Sequence, residues 1–238
     1  MSDHLSRKEL KQDNVALKVE ETAHFLVTHR TQAIRGGIAV LAVLVIGLGS
    51  WFFISSRRDA REQALASAIT LQSAPVGADN PTGGPSFTTD TAKEEAVRKA
   101  FNTIVSQNGG SNEAYAAEYY LAGMDVADGK LDDGSKKYDD VAANAGADYA
   151  SLAKLAKAQL QFSLGNPDGA SALLKDLMAN PTAMVSKDQA AIVLAKGIAD
   201  KQPEEARKLL IPIAAQGAQS SDVSQIAVTL MAQLPQAK

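Results

Sequence analysis

Two patterns of apolar residues divide this chain. Residues 36–54 form a continuous apolar run in which Ser50 is the single polar side chain. From Thr91 onward, apolar residues recur instead at intervals of three and four positions, which places them on one face of an α-helix. Because about 20 apolar residues in a helix cross a bilayer, the first pattern predicts a transmembrane helix and the second an all-helical domain.

The residues that flank the run favour a membrane span over a cleaved signal peptide. Arg35 precedes the run, Arg57 and Arg58 follow it, and Trp51 lies where the aromatic belt of a membrane interface is expected. A signal peptide would have a shorter apolar region nearer the N-terminus, followed by a cleavage site of small residues. The run contains no G-x-x-x-G pattern, so it predicts no helix dimer.

The composition around the span predicts five segments. They are a cytoplasmic helical tail at 1–35, the transmembrane helix at 36–54, a juxtamembrane helix at 55–72, a Pro/Gly-rich linker at 73–90 and a helical repeat domain at 91–238. The linker composition is typical of a flexible tether between the membrane and the domain. Basic residues close to the span are equally frequent on its two sides, whereas those further along the tail favour a cytoplasmic N-terminus.

Three stretches of the last segment align at steps of 36 residues. They are GKLDDGSKKYDDVAAN from Gly129, GNPDGASALLKDLMAN from Gly165 and DKQPEEARKLLIPIAA from Asp200. Each has a small residue that lets two helices approach closely, with large apolar residues four and seven positions later. These columns are Gly134, Ala170 and Ala206; Tyr138, Leu174 and Leu210; and Val141, Leu177 and Ile213. An upstream helix adds two columns, which are Ala122, Ala158 and Leu194, and Val126, Phe162 and Ile198.

A fixed period close to 34 residues is the signature of tetratricopeptide helix hairpins, which must stack because none buries its apolar face alone. Chance periodicity in an alanine-rich helical chain is the alternative, and the number of matching columns favours the repeat. We therefore predict an all-α fold: a single transmembrane helix followed by a tetratricopeptide-like α-solenoid of about three degenerate helix-hairpin repeats. Residues 92–107 form a leading half-repeat and residues 221–234 a closing helix.

Composition disfavours an enzyme. The chain has no cysteine, and its three histidines, His4, His24 and His29, all precede the predicted span. The region after the span therefore lacks the two residue types that most often carry nucleophilic, acid–base and transition-metal chemistry near pH 7. We predict no enzymatic activity, no cofactor and no metal site. The formal net charge of −3 indicates no basic surface for nucleic acid.

The inner wall of such a solenoid usually binds peptides or protein segments, and two helices contain candidate residues for that role. The candidates are Tyr115, Glu118, Tyr119, Lys154, Lys157 and Gln161. Tyr115 and Tyr119 are four residues apart and share a helical face. The alternative for the tyrosines is packing between helices, which is the commoner use of aromatic residues, and the alternative for the lysines is simple solvation.

The chain resembles the YfgM-like group of bacterial membrane-anchored tetratricopeptide proteins, whose name-giving member is an ancillary subunit of the Sec translocon. The likeness rests on VEETAHFLVTHRTQAIRGGIAVLAVLVIGLGSWFF and on the repeat stretches YLAGMDVADGKLDDG and AKLAKAQLQFSLGNPDGASALL. The resemblance implies a single-pass protein of the bacterial inner membrane, with its N-terminus in the cytoplasm and its repeat domain in the periplasm. It also implies exported or envelope proteins, the Sec translocon and periplasmic chaperones as partners.

These expectations combine into a membrane-anchored adaptor that binds protein segments at the periplasmic face and assists protein export or a translocon-associated chaperone. Two alternatives stay open. One is a scaffold in cell-envelope or division-complex assembly without translocon contact. The other is a hydrolase whose site uses neither histidine nor cysteine.

Overall fold

The chain is helical throughout the part that the computed structural model describes, namely residues 30–77, 83–216 and 222–235. The helices of that part are α1 (Arg30–Ser73), α2 (Asp90–Asn108), α3 (Asn112–Ala127), α4 (Leu131–Asn144), α5 (Ala147–Ser163), α6 (Pro167–Ala179), α7 (Lys187–Ile198), α8 (Pro203–Ala214) and α9 (Asp222–Gln233). The chain divides into two units, Met1–Asp59 and Ala60–Lys238. The second unit is a stack of helix hairpins.

Helix α1 contains the whole of the apolar run. The side chains of Val43–Ile46, Leu48, Trp51 and Phe52 are exposed. Within the described residues, no helix is both long enough and apolar enough to cross a membrane. The predicted span at 36–54 lies partly outside the described side chains, and most of the predicted tail at 1–35 lies outside the described residues, so both stay predictions.

The end of α1 belongs to the helical stack. Ala68 is fully buried in a cluster with Phe101 and Ile104 of α2, and Leu65 packs against the same cluster. The residues that follow α1 and precede α2 also meet, because the Gly77 amide donates to the Phe87 carbonyl over 2.9 Å. The segment at 73–90 therefore joins two helices of one packed unit, which differs from the free tether that its composition suggested.

Four of the five repeat columns identified in the sequence are buried in the structure, and in the fifth Ile198 is buried while Val126 and Phe162 are partly buried. The nine residues of the three second-helix columns are all buried, as are Ala122, Ala158 and Leu194 on the first helices. Gly129 and Gly165 stand one 36-residue step apart, and both adopt left-handed φ angles, of 80° and 76°, in the turn inside a hairpin. The prediction of an all-α tetratricopeptide-like solenoid is therefore confirmed.

The stack holds one more hairpin than the three predicted. Helix α2 has three buried residues, Val97, Phe101 and Ile104, spaced by four and three positions like the second-helix columns. They stand 37 residues before Gly134, Tyr138 and Val141. The predicted half-repeat is thus a second helix, and the end of α1 is its first helix. The hairpins are α1/α2, α3/α4, α5/α6 and α7/α8, and α9 follows as the closing helix.

Capping and close packing explain where these helices begin and how near they approach. The hydroxyl of Thr89 accepts from the amide of Ala92, and that of Ser111 accepts from the amide of Ala114, both over 3.1 Å. Pro167 and Pro203 begin α6 and α8, where their missing amide is not needed. A Cβ at Gly134 would lie 2.5 Å from Val126 Cγ2, so α4 approaches α3 more closely than alanine would permit.

Candidate functional site

The first helices of the hairpins line one side of the stack. Among the described residues, α3 contacts α5, α5 contacts α7 and α7 contacts α9, whereas the second helices α4, α6 and α8 do not contact one another. A stack whose first helices touch and whose second helices are separated curves towards its first helices. The inner side of the solenoid is therefore formed by α3, α5, α7 and α9.

An aromatic cluster lies where α3 meets α4 and α5. The Tyr119 ring lies 5.6 Å from Tyr120, 5.8 Å from Tyr138 and 6.2 Å from Tyr149, measured between ring centroids. Tyr115 packs against the same group. Burial raises the pKa of Tyr119, and it raises that of Tyr138 to about 12. The hydroxyls of Tyr119 and Tyr138 are therefore neutral near pH 7, and the half-buried Tyr119 serves as a packed centre between three helices.

Glu118 lies beside a second carboxylate. Burial raises the pKa of Glu118, and both the charge of Asp140 on α4 and a hydrogen bond with it raise the pKa further. Lys137 acts in the opposite direction. The two carboxylates would repel each other when both are ionised, so the ionised form of this predicted site residue is disfavoured.

The three predicted site residues of α5 make contacts with second helices or turns. Lys154 Nζ lies 2.6 Å from Asp176 Oδ2 on α6. Lys157 pairs with Asp139 on α4. Gln161 Oε1 accepts a hydrogen bond from Asn166 Nδ2 over 2.8 Å. The structure thus directs the two lysines into ion pairs between neighbouring helices, and it does not bring them together with the tyrosines of α3.

An ion-pair network links α2, α3 and α4. Asp125, which is buried on α3, accepts from Arg98 over 2.7 Å and from Lys137 over 2.6 Å. Burial opposes ionisation of Asp125, but the hydrogen bonds from Lys137 and Arg98 outweigh it and hold its pKa below the ordinary value. Arg98 also binds Asp128 over 2.8 Å. The network joins two neighbouring hairpins through one buried carboxylate.

A groove opens between α3, α4 and α5, and we call it the α3–α5 groove. Its volume is about 280 Å³. Its apolar lining is Val126, Leu131, Tyr138, Ala156, Leu160 and Leu164. Gln159 and Ser163 supply its polar atoms, and Leu164 is half exposed. Sequence reasoning did not find this groove, although Val126 and Tyr138 stand in two of the repeat columns.

A second cavity occupies the corresponding place two hairpins further along the stack, at hairpin α7/α8. It has a volume of about 180 Å³ and lies between α7, α8 and α9, where Leu210 takes the column position of Tyr138. At the intermediate position, Phe162 lies between α5 and α7, with its ring so close to Gly197 that a Cβ there would be 2.3 Å away. The size of the residue in the column of Val126, Phe162 and Ile198 therefore helps to decide where a groove opens.

Groups of His, Cys, Asp or Glu that could hold a metal ion are absent from the described part of the chain. The site is thus a surface formed by packed helices, with an apolar groove and a network of ion pairs. Its geometry is that of a binding surface. The fold and this surface define the class of helical-repeat interaction proteins.

The family follows from comparison with known sequences. Residues 28–181 match the tetratricopeptide repeat-like domain, which is more than half of the chain, and the protein belongs to this family. The matched segment includes the apolar run and extends through α6. Neither the curated proteins nor the solved structures contain a match to the chain. An all-helical repeat fold of this kind is typical of scaffolds that bind other proteins rather than of enzymes.

Proposed function

We propose that the protein is a membrane-anchored adaptor whose repeat unit lies in the periplasm, binds protein segments on its inner side and assists protein export. The observation that carries the proposal is the short distance in sequence between the apolar run and the stack. The run ends at Ile54 and the repeat unit begins at Ala60. A membrane anchor at 36–54 would hold the binding surface close to the bilayer, where exported segments emerge.

The apolar run itself supports an anchor. Val43, Ile46, Trp51 and Phe52 of α1 are each more than half exposed. Contiguous exposed apolar surface of this size marks a site that lipid or another protein covers. The arginines at 35, 57 and 58 lie where they would interact with lipid headgroups at the two ends of a span.

The likeness to the YfgM-like group supports the orientation and the role in export. In that group the N-terminus is cytoplasmic and the repeats are periplasmic. The repeat unit here is acidic, with 21 acidic against 16 basic residues after Asp59, whereas the 35 residues before the run contain six basic against five acidic residues. Such an arrangement agrees with a basic cytoplasmic tail.

Topology and anchoring can be tested with one engineered cysteine, because the natural chain has none. The variant Ser163→Cys places a thiol on the exposed end of α5. We expect the full chain to remain with the membrane after alkaline extraction. We expect the thiol to react with a membrane-impermeant maleimide once the outer membrane is opened. Labelling only after the inner membrane is disrupted would contradict the periplasmic location.

Partner class can be tested by photo-crosslinking in intact cells. A photoreactive residue at Gln159, which is exposed on α5 and lines the α3–α5 groove, is expected to form adducts with exported proteins or translocon subunits. The matched control position is Lys175 on α6, which is exposed on a second helix and is expected to form few adducts. Adducts confined to envelope-assembly or division proteins would favour the scaffold alternative, and turnover in a hydrolase screen of the purified chain would favour an enzyme.

A further inference from the structure

We propose that the α3–α5 groove binds one large apolar side chain of a basic protein segment, in which lysine or arginine residues flank the apolar residue. This inference rests on the proposed binding function and specifies the chemistry of the partner. The groove supplies the apolar contact, and the charge of the hairpin that forms two of its walls supplies the selection for a basic segment.

The size and lining of the groove suit a single side chain. Its volume of about 280 Å³ lies at or below the lower limit of pockets that enclose drug-sized molecules, which is about 300 Å³. Leu131 of α4, Leu160 of α5 and Leu164, which directly follows α5, converge on it from two hairpins. Leu164 is half exposed, so apolar surface remains for a partner to cover. Burial of a leucine or methionine against this surface would provide an anchor of the kind found at the centre of protein interfaces.

The hairpin that forms two walls of the groove carries an excess of acidic residues, some of which pair with Arg61, Arg98 and Lys157 of neighbouring helices. Helices α3 and α4 and the turn between them contain eight acidic and three basic residues, a net charge of −5. Asp132 and Asp133, which follow the lining residue Leu131, are exposed. Lys130, on the other side of Leu131, pairs with Asp128 over 3.0 Å, which neutralises part of its charge. A basic segment that entered the groove would meet the excess acidic charge of this hairpin, which includes the two exposed carboxylates next in sequence to Leu131.

Comparison with neighbouring hairpins assigns this property to α3/α4 in particular. Helices α5 and α6 with their turn contain three acidic and three basic residues, and there Phe162 occupies the position of Val126. The cavity between α7 and α9 is smaller, and its lining contains an exposed lysine, Lys196, together with an exposed aspartate, Asp200, whose charges offset each other. The combination of a larger apolar groove and a hairpin with excess acidic charge therefore occurs at the α3–α5 groove.

The proposal can be tested with the full chain in detergent and a short fluorescein-labelled peptide that has a central leucine flanked by lysines. Binding is measured by fluorescence anisotropy. Replacing the central leucine with serine is expected to weaken binding about tenfold, because the apolar anchor is lost. The variants Leu164→Gln, which removes exposed apolar surface, and Gln159→Trp, which covers the groove from its rim, are expected to weaken binding to a similar extent.

The electrostatic part of the proposal has a matched control in the repeat itself. Combining Asp132→Asn with Asp133→Asn is expected to weaken peptide binding about threefold at low salt, and the difference is expected to shrink at high salt. Asp168→Asn is the control, because Asp168 stands one 36-residue step after Asp132, at the start of the neighbouring hairpin's second helix. It is expected to leave binding unchanged. All these positions are exposed, and circular dichroism verifies that each variant keeps its helical content.

Several results would overturn the inference. If the serine peptide bound as tightly as the leucine peptide, the proposed apolar anchor would be wrong. If a peptide with glutamates in place of lysines bound as tightly, the proposed selection for basic segments would be wrong. Equal effects of Asp168→Asn and the double variant would remove the assignment to this groove. If the peptide fails to bind while photo-crosslinking from Gln159 in cells still yields protein adducts, this inference fails and the proposed function stands. Loss of both would overturn the two together.

Discussion

Hairpins α3/α4 and α5/α6 follow one another in the stack and differ at most of the positions that the 36-residue step relates. One step of 36 residues relates Tyr138 to Leu174 and Val141 to Leu177, and all four are buried. The same step relates residues of opposite charge elsewhere. The fold therefore depends on a few columns, and the remaining positions are free to give each hairpin its own surface.

The clearest difference is a pair of equivalent charges. Lys154 of α5 pairs with Asp176 of α6 over 2.6 Å. One step earlier, the equivalent positions are Glu118 and Asp140, and the pKa of Glu118 is raised first by burial and then by the like charge of Asp140. The α5/α6 hairpin has a favourable contact between its two helices at this place, and the α3/α4 hairpin has a repulsive one. The surface charge of α3/α4 is therefore not explained by the stability of the hairpin.

The largest change in the free energy of unfolding is expected from a substitution in the core column of Tyr138, Leu174 and Leu210. Leu174→Ala should lower the free energy of unfolding by about 3 kcal/mol, because Leu174 is fully buried and its truncation leaves a cavity. Urea unfolding followed by circular dichroism measures the change. The control is Leu164→Ala, which alters the same residue type at a half-exposed position and should cost less than about 1 kcal/mol. Equal losses would contradict the assignment of the core column.

The next effect concerns the close approach of α3 and α4. Gly134→Ala should lower the free energy of unfolding by about 2 kcal/mol, because its Cβ would lie 2.5 Å from Val126 Cγ2 and 2.9 Å from the Ala122 carbonyl oxygen. The reverse change in the neighbouring hairpin, Ala170→Gly, should cost about 1.5 kcal/mol, because it lowers helix propensity and also removes a fully buried methyl group. Adding Val126→Ala to Gly134→Ala should restore part of the loss, since it removes the nearer clash. If Gly134→Ala stabilised the protein, α3 and α4 would have to lie far enough apart to accommodate the added Cβ.

The sequence predicted the core columns because their spacing is a property of neighbouring residues within helices. It did not predict the first hairpin, because the long loop between α1 and α2 interrupts the period and the step from Phe101 to Tyr138 is 37 residues rather than 36. Composition alone made that loop resemble a tether. The bond between Gly77 and Phe87 depends on the two helices that the loop connects.

The site was less predictable because its contacts join different hairpins. Lys157 and Asp139 lie 18 residues apart, on consecutive hairpins, and no local pattern relates them. The α3–α5 groove depends on the size of Val126 relative to Phe162, which has meaning only after the helices are stacked. Asp125 was not singled out either, although an acidic residue among the apolar positions of α3 could have signalled a buried ion pair.

A smaller effect is expected from that buried carboxylate. Asp125→Asn should lower the free energy of unfolding by about 1.5 kcal/mol near pH 7. The reason is that a neutral amide replaces the carboxylate that accepts hydrogen bonds from the charged Arg98 and Lys137. The folded pKa of Asp125 lies below its unfolded value of about 3.9, so its stabilisation is present above that pH and disappears as the pH falls through the folded pKa. The difference between wild type and variant should therefore vanish in strong acid.

Gln161 provides the matched position for this test, one step after Asp125. Gln161→Ala removes a hydrogen bond at the end of the α5/α6 hairpin and should cost less than about 1 kcal/mol at every pH. Unfolding measured across a pH series separates the two variants. A pH-independent loss in Asp125→Asn would contradict the ion-pair explanation.

The smallest effect would sharpen the comparison of charges. Glu118→Lys creates in α3/α4 the arrangement of Lys154 and Asp176, and it should raise the free energy of unfolding by about 0.5 kcal/mol near pH 7, whereas Lys154→Glu should lower it by a similar amount. The folded pKa of Glu118 is raised, so the wild type loses stability as the pH rises through the unfolded pKa towards the folded one. Glu118→Gln should remove this loss and match the wild type only at low pH. If Glu118→Lys destabilised the fold, the contact between Glu118 and Asp140 would be favourable. The α3/α4 and α5/α6 hairpins would then differ in their surface charge and not in the contact between their helices.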